Sequence, residues 1–376
     1  MRTNFMSVEQ AFNVDCLNIE KEKNLKYLNI SNNGKIYRSY SDSILLPNII
    51  QLEKNLFMAS FQLMKLMPAK YVVEKALREE RINPKYPIIE TSSGTYALGL
   101  GIICAELGLP FHIISDPAID DDLKRRLEDL GGYVQILSQA LSADNPQIFR
   151  LNTLRDYLID NPQSFWPEQY NNPENQKAYS FLAEYLIDQL GSNLTLVGSV
   201  GSGGSTCGTI KCLRENNPFN RLIGVDTFGS VLFGLNNEKR ILRGLGNSIL
   251  PQNLEHNLFD EVHWVSACDA YLQTRKMHSR YSTFHGPTSG AAYHVAKWVS
   301  QQNKDEKVVF IAPDTGHRYL STVYNNQWLK EVGFFGKDLS YFPLKVKHPS
   351  EVNEEWSYIN WHRKTYKETM DAKNGY

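Results

Sequence analysis

The 376-residue sequence predicts an α/β protein of two lobes, each a mostly parallel twisted sheet flanked by helices. Three observations predict it. Short apolar runs alternate with helical segments at the spacing of right-handed parallel crossovers. A glycine-rich loop, Val197 to Gly208, joins an apolar run to a helix-forming segment. A loop of small residues, Thr91 to Thr95, does the same further upstream. In such folds a ligand sits at the carboxyl ends of the strands, here between the lobes.

Taken in order, residues 1 to about 40 are polar and read as an N-terminal arm, with Asn-rich turns such as Ser31-Asn32-Asn33-Gly34. Ser43 to Glu53 reads as an extended piece entering the core. Between Lys65 and Arg81, Leu66, Val72, Val73, Ala76 and Leu77 recur at helical spacing, and Pro68 is tolerable in a first turn. Tyr86 to Glu90 is a strand, followed by the small-residue loop and an apolar helix, Tyr96 to Leu107, stopped by Gly108 and Pro110. Pro110 to Ser115 is a strand, Asp120 to Leu130 a helix, and Tyr133 to Leu137 a strand. Ser138 to Asn172, rich in Asn, Pro and aromatics, reads as a hinge or lid. A long helix, Pro173 to Leu190, leads to the strand Leu194 to Val200 and the glycine loop. A helix over Thr209 to Glu215 and a strand over Arg221 to Val225, ending in Asp226, come next.

Further strands fall at Val262 to Ser266 and Lys307 to Ala312, with helices at Asp269 to Ser279 and Ser289 to Gln301. The tail from Val346, charged and aromatic (Trp356, Trp361, Tyr366), reads as a packed or interface helix. The expected division is an arm with the first core elements (1–58), a smaller substrate-side lobe (59–172), a lobe carrying the glycine loop (173–345) and a C-terminal extension (346–376).

Hydrophobic content of 42% and charged content of 22% are ordinary for a globular protein. A net charge of −1 leaves no basic field to recruit nucleic acid or an anionic membrane. Cys16, Cys104, Cys207, Cys212 and Cys268 contain no C-x-x-C pair, so neither a disulfide framework nor a metal site is expected. The N-terminus lacks the apolar core of a signal peptide. The longest apolar region, Tyr96 to Ile114, is broken by Glu106 and Pro110 and reads as a buried helix plus strand. A reducing cytoplasm is the expected setting.

The glycine loop presents backbone N–H groups and a helix N-terminus to one point, a receptor for a phosphate group. An NTPase loop would want Lys at 209, where Thr stands. A dinucleotide site is closer, with Asp226 placed to hold a ribose. A bare tight turn seldom needs four glycines.

With both loops placed, the chain resembles the cysteine synthase and cystathionine β-synthase family, the fold type II pyridoxal phosphate enzymes, from about Leu52 to Thr322. Counting back without gaps from Ile88-Ile89-Glu90 puts that family's cofactor lysine on Lys65, with Lys54 and Lys70 as local rivals. Its substrate loop falls on Ser92-Ser93-Gly94-Thr95, and its phosphate loop on Gly201-Ser202-Gly203-Gly204-Ser205. Gln169-Tyr170-Asn171-Asn172-Pro173 resembles the segment whose glutamine helps hold the substrate carboxylate. Gly286-Pro287-Thr288-Ser289-Gly290 resembles the segment whose hydroxyl meets the pyridine nitrogen, which falls to Thr288. Gly316 to Thr322 resembles a late supporting run.

The resemblance implies a pyridoxal 5′-phosphate enzyme acting by β-elimination and β-replacement on a serine-derived amino acid, as a homodimer. The departures bear on the substrate. Ala59-Ser60-Phe61-Gln62-Leu63 replaces Asn-Pro-x-Gly-Ser before the lysine, Leu66-Met67 replaces Asp-Arg after it, and Thr95 replaces an asparagine that meets the cofactor's phenolic oxygen. These suggest a specialised nucleophile or leaving group.

A lysine amine ordinarily titrates near 10.4, so burial among Phe61, Leu63, Met64, Leu66 and Met67 would help Lys65 act as nucleophile and then as base. Each assignment has a plainer alternative. Ser93, Thr95 and Thr288 could be helix caps, Gln169 and His285 loop residues, and Cys207 a buried thiol. The rivals to the whole reading are an NAD-dependent oxidoreductase using Asp226, and a weakened paralogue that binds an amino acid or a protein.

Overall fold

The computed structural model describes residues 36–372, so the expected polar arm with its Ser31–Gly34 turn lies almost wholly outside the described residues. A short helix α1 (Tyr40–Ser43) precedes the antiparallel pair β1 (Asn48–Glu53) and β2 (Leu56–Ser60). Helix α2 (Leu66–Arg78) follows, burying Leu66, Met67, Val72, Val73 and Ala76 on one face. Strands β3 (Ile88–Thr91), β4 (Phe111–Ser115) and β5 (Tyr133–Ile136) form a three-stranded parallel sheet in sequence order. Crossovers α3 (Thr95–Leu107) and α4 (Asp121–Asp129) join them. All four β3 residues and all five of β4 are buried, as a sheet covered on both faces requires.

The second sheet has eight strands in the order β1-β2-β9-β6-β7-β8-β11-β10. Its parallel centre is β9 (Lys307–Ala312), β6 (Leu194–Ser199), β7 (Arg221–Thr227) and β8 (Glu261–Val265). β2 joins that centre by pairing parallel with β9, Leu56 opposite Val308 through Ser60 opposite Ala312. One apolar core fills each face of this sheet, and a third fills the smaller lobe around Leu66, Ile88, Leu100 and Ile113.

Four segments differ from expectation. The expected hinge or lid at Ser138–Asn172 contains a 3₁₀ turn and then a fifteen-residue helix, α5 (Pro146–Asp160). Its Asn and Pro are start signals rather than loop signals. Asn145 caps the helix by accepting from the N–H groups of Gln147 and Ile148, and Pro146 takes the first turn. The expected single helix Pro173–Leu190 is two helices, α6 (Glu174–Lys177) and α7 (Ser180–Leu190), broken at buried Ala178 and Tyr179.

Helix α8 (Gly204–Asn216) begins five residues before the expected start. Gly208 stands inside it because a Cβ there would overlap the Gln176 carbonyl on the segment packed across it. The tail is not one helix: a strand comes first, and among the described residues its α-helix is confined to Tyr366–Asp371. β10 (Leu344–Lys345) and β11 (Ser357–Asn360) extend the large sheet, with Trp356 and Trp361 buried beside them. Helices α9 (Ala267–Tyr281), α10 (Pro287–Gln302), α11 (Asn326–Glu331) and α12 (Tyr366–Asp371) complete the described chain.

The close approach at Gly208 sets where the start of α8 points. Gly208→Ala should lower stability by about 1–3 kcal/mol, because backbone must shift to admit the methyl group. Denaturant unfolding checks this, and an unchanged midpoint would contradict it.

Candidate active site

Lys65 lies just ahead of α2, on a turn leaving the carboxyl end of β2. The turn is pinned to the end of β9: Phe61 N–H donates to Ala312 O at 2.9 Å and Met64 N–H to Pro313 O at 2.8 Å. Gly99 lets α3 rest on the Lys65 carbonyl. The Lys65 amine lies 3.4 Å from Ser202 Oγ, and among the described residues no carboxylate pairs with it. Although the residue keeps some surface toward the cleft, burial of the amine lowers its pKa to about 8. The rival lysines are placed differently. Lys54 sits in the exposed β1–β2 turn. Lys70 bridges Asp42 at 3.2 Å and Glu74 at 2.9 Å. Burial pulls its pKa down, but these carboxylates outweigh that and leave it raised.

The glycine loop reaches the same point from β6. Gly203, the residue before α8, has φ +82, and a Cβ there would overlap the Asn253 carbonyl. It offers α8 no side-chain cap. The first helical bond is Cys207 N–H to Gly203 O, so the N–H groups ahead of it have no intrahelical partner. An uncapped helix start beside an unpaired amine is an anion receptor.

The loop Ser92–Thr95 leaves the carboxyl end of β3 and begins α3. Ser92 Oγ accepts from Gly94 N–H at 3.2 Å, and Gly94 precedes the helix without a side-chain cap. The capping role considered for Ser93 and Thr95 is therefore not taken up. Gln169 is buried against this loop, donating Nε2 to Thr91 O at 3.1 Å. Asn253 Nδ2 donates to Gln169 O at 3.2 Å, so one asparagine touches both Gly203 and Gln169.

Thr288 lies within the first turn of α10, whose N-cap is Gly286, so it does not cap that helix. Its carbonyl accepts from Ser199 Oγ at 2.8 Å, and its methyl faces Gly244, whose carbonyl faces Gly201. Among the described residues the hydroxyls of Ser93, Thr95, Ser205 and Thr288 make no hydrogen bond to protein. The structure thus links Lys65 to Ser202, Gly201 to Thr288 through Gly244, and Gly203 to Gln169 through Asn253, with Gln169 against Thr91 beside Ser92–Thr95. That donor set fits a phosphate-bearing aldehyde such as pyridoxal phosphate.

Three other candidates do not join it. Asp226 has no exposed surface and lies behind Gly246 and Ser230, with burial pushing its pKa up to about 7. A ribose could not reach it, which removes the basis of the dinucleotide reading. Cys207 is a buried thiol whose pKa burial raises to about 12. His285 is kept neutral by burial. Its Nδ1 lies 2.8 Å from Asp314 O and is assigned the proton, so Nε2 accepts from Ser60 Oγ at 3.0 Å. A solvent-open cavity of about 620 Å³ on α9, lined by Arg275, Lys276 and His278, shares no residue with the cleft.

The sequence reading missed the residues that frame the substrate side. Arg150 on α5 is 7% exposed, and its Nε lies 3.2 Å from Asp116 Oδ2 at the carboxyl end of β4. Neither its Nε nor its Nη1 has an aligned hydrogen-bond partner. Tyr170 feels the charges of both Arg150 and Asp116. One turn earlier on α5, Gln147 Oε1 accepts from Ser248 Oγ at 2.8 Å across the cleft. The start of α5 was the available signal, and reading it as loop hid Arg150.

The sequence matches the family described as "Pyridoxal-phosphate dependent enzyme" over residues 51–314. N-(2-amino-2-carboxyethyl)-L-glutamate synthase of Cupriavidus metallidurans is 33% identical over 271 residues, covering 70% of this chain and 80% of that protein. A putative cysteine synthase of Sinorhizobium fredii is 29% identical, covering 75% and 84%. Among solved structures, an O-acetylserine dependent cystathionine beta-synthase from Helicobacter pylori superposes with TM-score 0.71 at 25% identity, covering 78% of this chain and all of that one.

An amine titrating near 8 in the native state and at 10.5 when unfolded makes native stability of the cofactor-free protein rise with pH between those values. The unfolded chain binds more protons in that window. Lys65→Met should abolish that slope, as read from urea midpoints against pH. A slope that persists in the variant would contradict the assignment.

Proposed function

The chain belongs to the cysteine synthase family of pyridoxal-phosphate dependent enzymes, and from that premise we propose that it joins a serine-derived amino acid to an amino-acid amine, forming a carbon–nitrogen bond. That it is a β-replacement enzyme on a serine-derived substrate follows from its family and relatives. The identity of the nucleophile is the proposal. The observation that carries it is Arg150, a buried cation near Tyr170 that Asp116 pairs only through Nε, leaving Nη1 without a hydrogen bond among the described residues. Buried donors left unpaired are costly and call for a partner. Sulfide has no group for this guanidinium; a dicarboxylic amino acid does. The name of the Cupriavidus relative describes such a product, an alanyl β-carbon on the nitrogen of glutamate.

In this reading the amides of Gly201 to Ser205 and the start of α8 hold the cofactor phosphate. Thr288 offers the ring nitrogen a neutral hydroxyl, and Thr95 lies on the phenolic side. Pyridoxal phosphate, when bound, supplies the electron sink that lets bonds at Cα and Cβ break. Lys65 anchors it, and its amine, partly uncharged near neutral pH, takes the Cα proton at Nζ. Ser92, Ser93 and Gly94, with Gln169, hold the carboxylate of the first substrate at the uncapped start of α3. Arg150 then receives the side-chain carboxylate of the second.

A cytoplasmic homodimer belongs to the same proposal. The free thiols of Cys104, Cys207, Cys212 and Cys268 suit a reducing compartment. Exposed Phe335, Phe342 and Leu344 suit coverage by a second copy.

The test pairs serine-derived donors with sulfide, thiols and amino acids, and identifies products by mass spectrometry. A dicarboxylic amino acid should be the best acceptor. Arg150→Met should raise its KM by roughly tenfold or more while leaving donor KM nearly unchanged. Sulfide as the best nucleophile, with no carbon–nitrogen product, would overturn the proposal.

A further inference from the structure

Glu90 is a buried acid for which the reaction as described has no use. It stands on β3 opposite Ile113 of β4, has no exposed surface, and meets no ion pair among the described residues. What it meets is N–H groups. Its Oε1 accepts from Thr91 N–H at 2.8 Å and from Trp166 Nε1–H at 3.1 Å. Its Oε2 accepts from Gln169 N–H at 3.2 Å. The segment 165–170 has no helix and only isolated strand-like bonding to β3, including Ile89 N–H to Phe165 O at 2.9 Å. The Glu90 side chain therefore ties β3, from which Ser92–Thr95 project, to the segment that carries Gln169.

We propose that Glu90 is a positioning residue for substrate capture, and that its carboxylate must be ionised for Gln169 to be held in place. The inference rests on the reading that Gln169 contacts the substrate carboxylate. Three donors converge on two oxygens, and among the described residues the side chain donates no hydrogen bond to an acceptor. An ionised carboxylate satisfies all three. A protonated carboxyl group presents an O–H where one of the donors points. The proton goes to Oε2, which has one long bond, rather than to Oε1, which has two. Protonation therefore breaks the Gln169 N–H bond, leaving that residue held only by Thr91 O and Asn253, and leaves Thr91 and Trp166 bound.

The groups around Glu90 place this change in a useful range. Burial raises its pKa to about 7 against the pull of its three N–H donors, and the charge of Glu168 adds to the rise. Tyr96 on α3 and Tyr170 also face it, but burial raises both phenols, so they stay uncharged. Ile113 from β4 is apolar, and Arg150 on α5 pairs through Nε with Asp116 rather than with Glu90. Among the described residues, nothing facing Glu90 supplies a counter-charge that would hold it ionised in acid. Binding of the amino-acid substrate should then weaken as pH falls through about 7, while the phosphate grip, which shares none of these bonds, does not.

Glu90→Gln is the discriminating variant, because an uncharged amide matches the protonated acid in shape and likewise replaces one acceptor oxygen with a donor. In the holoenzyme, the wild-type KM for the serine-derived donor should rise several-fold from about pH 8 to about pH 6, with kcat changing less. Glu90→Gln should show a KM raised roughly tenfold at every pH, without that acidic limb, while cofactor affinity and visible absorbance match wild type. Gln169→Leu should raise KM and also lose the limb. If Gln169→Leu raises KM but Glu90→Gln keeps the wild-type KM and limb, the Glu90 proposal is overturned and the Gln169 reading stands. If Gln169→Leu leaves KM unchanged, the Gln169 reading falls, and the inference with it. Should Glu90→Gln fail to fold, the limb decides: its loss in Gln169→Leu supports the proposal, and its persistence there overturns it.

Discussion

An unpaired lysine amine between two uncapped helix starts is the constraint from which the rest of this site follows. Burial makes the Lys65 charge costly, and among the described residues no carboxylate offsets that cost. The starts of α3 and α8 add positive ends of helix dipoles without a side-chain oxygen to quench them. Such an arrangement is unfavourable when empty and favourable around a group carrying an aldehyde and an anion. The glycines serve the same purpose. Gly203 brings the phosphate loop against Asn253, and Gly208 brings α8 against α6, so the helix start cannot drift from the lysine.

Polar ties add to the packing of Phe61, Met64 and Met67 against the large-sheet core in holding the two lobes together. Arg318 bonds Asp120 at 2.6 Å, and Arg243 bonds the Ala118 carbonyl, both on the segment after β4. Asn145 and Gln147, at the start of α5, bond Ser248. Asn253 bonds the Gln169 and Asn172 carbonyls. Ties of this kind each contribute little net stability, because water competes for the same groups. Arg150, Asp116 and Glu90 all lie on the smaller lobe, so the proposed function gives substrate choice to it and cofactor grip largely to the eight-stranded sheet.

Most of the fold was legible because strand–helix alternation and glycine punctuation are local signals. The cofactor side was legible for the same reason: a strand, four glycines and a helix lie contiguous in sequence at Leu194–Asn216. The substrate side was less so. Arg150 is one charged residue on a helix that Asn and Pro disguised as loop, and its meaning comes from Asp116, far away in sequence. Glu90 served only to set the register, since nothing local tells that three N–H groups converge on it. The tail misled because its aromatic residues suit a packed helix equally well. Only pairing with β8 shows that Ser357–Asn360 extends the sheet.

Every assignment in the cleft is measured from the position of the cofactor-bearing lysine. Borohydride reduction of the cofactor-loaded protein, followed by peptide mapping, locates that residue directly. The account predicts a single pyridoxyl-modified peptide, carrying the label on Lys65. A label on Lys54 or Lys70, or a protein that takes up no label, would contradict it.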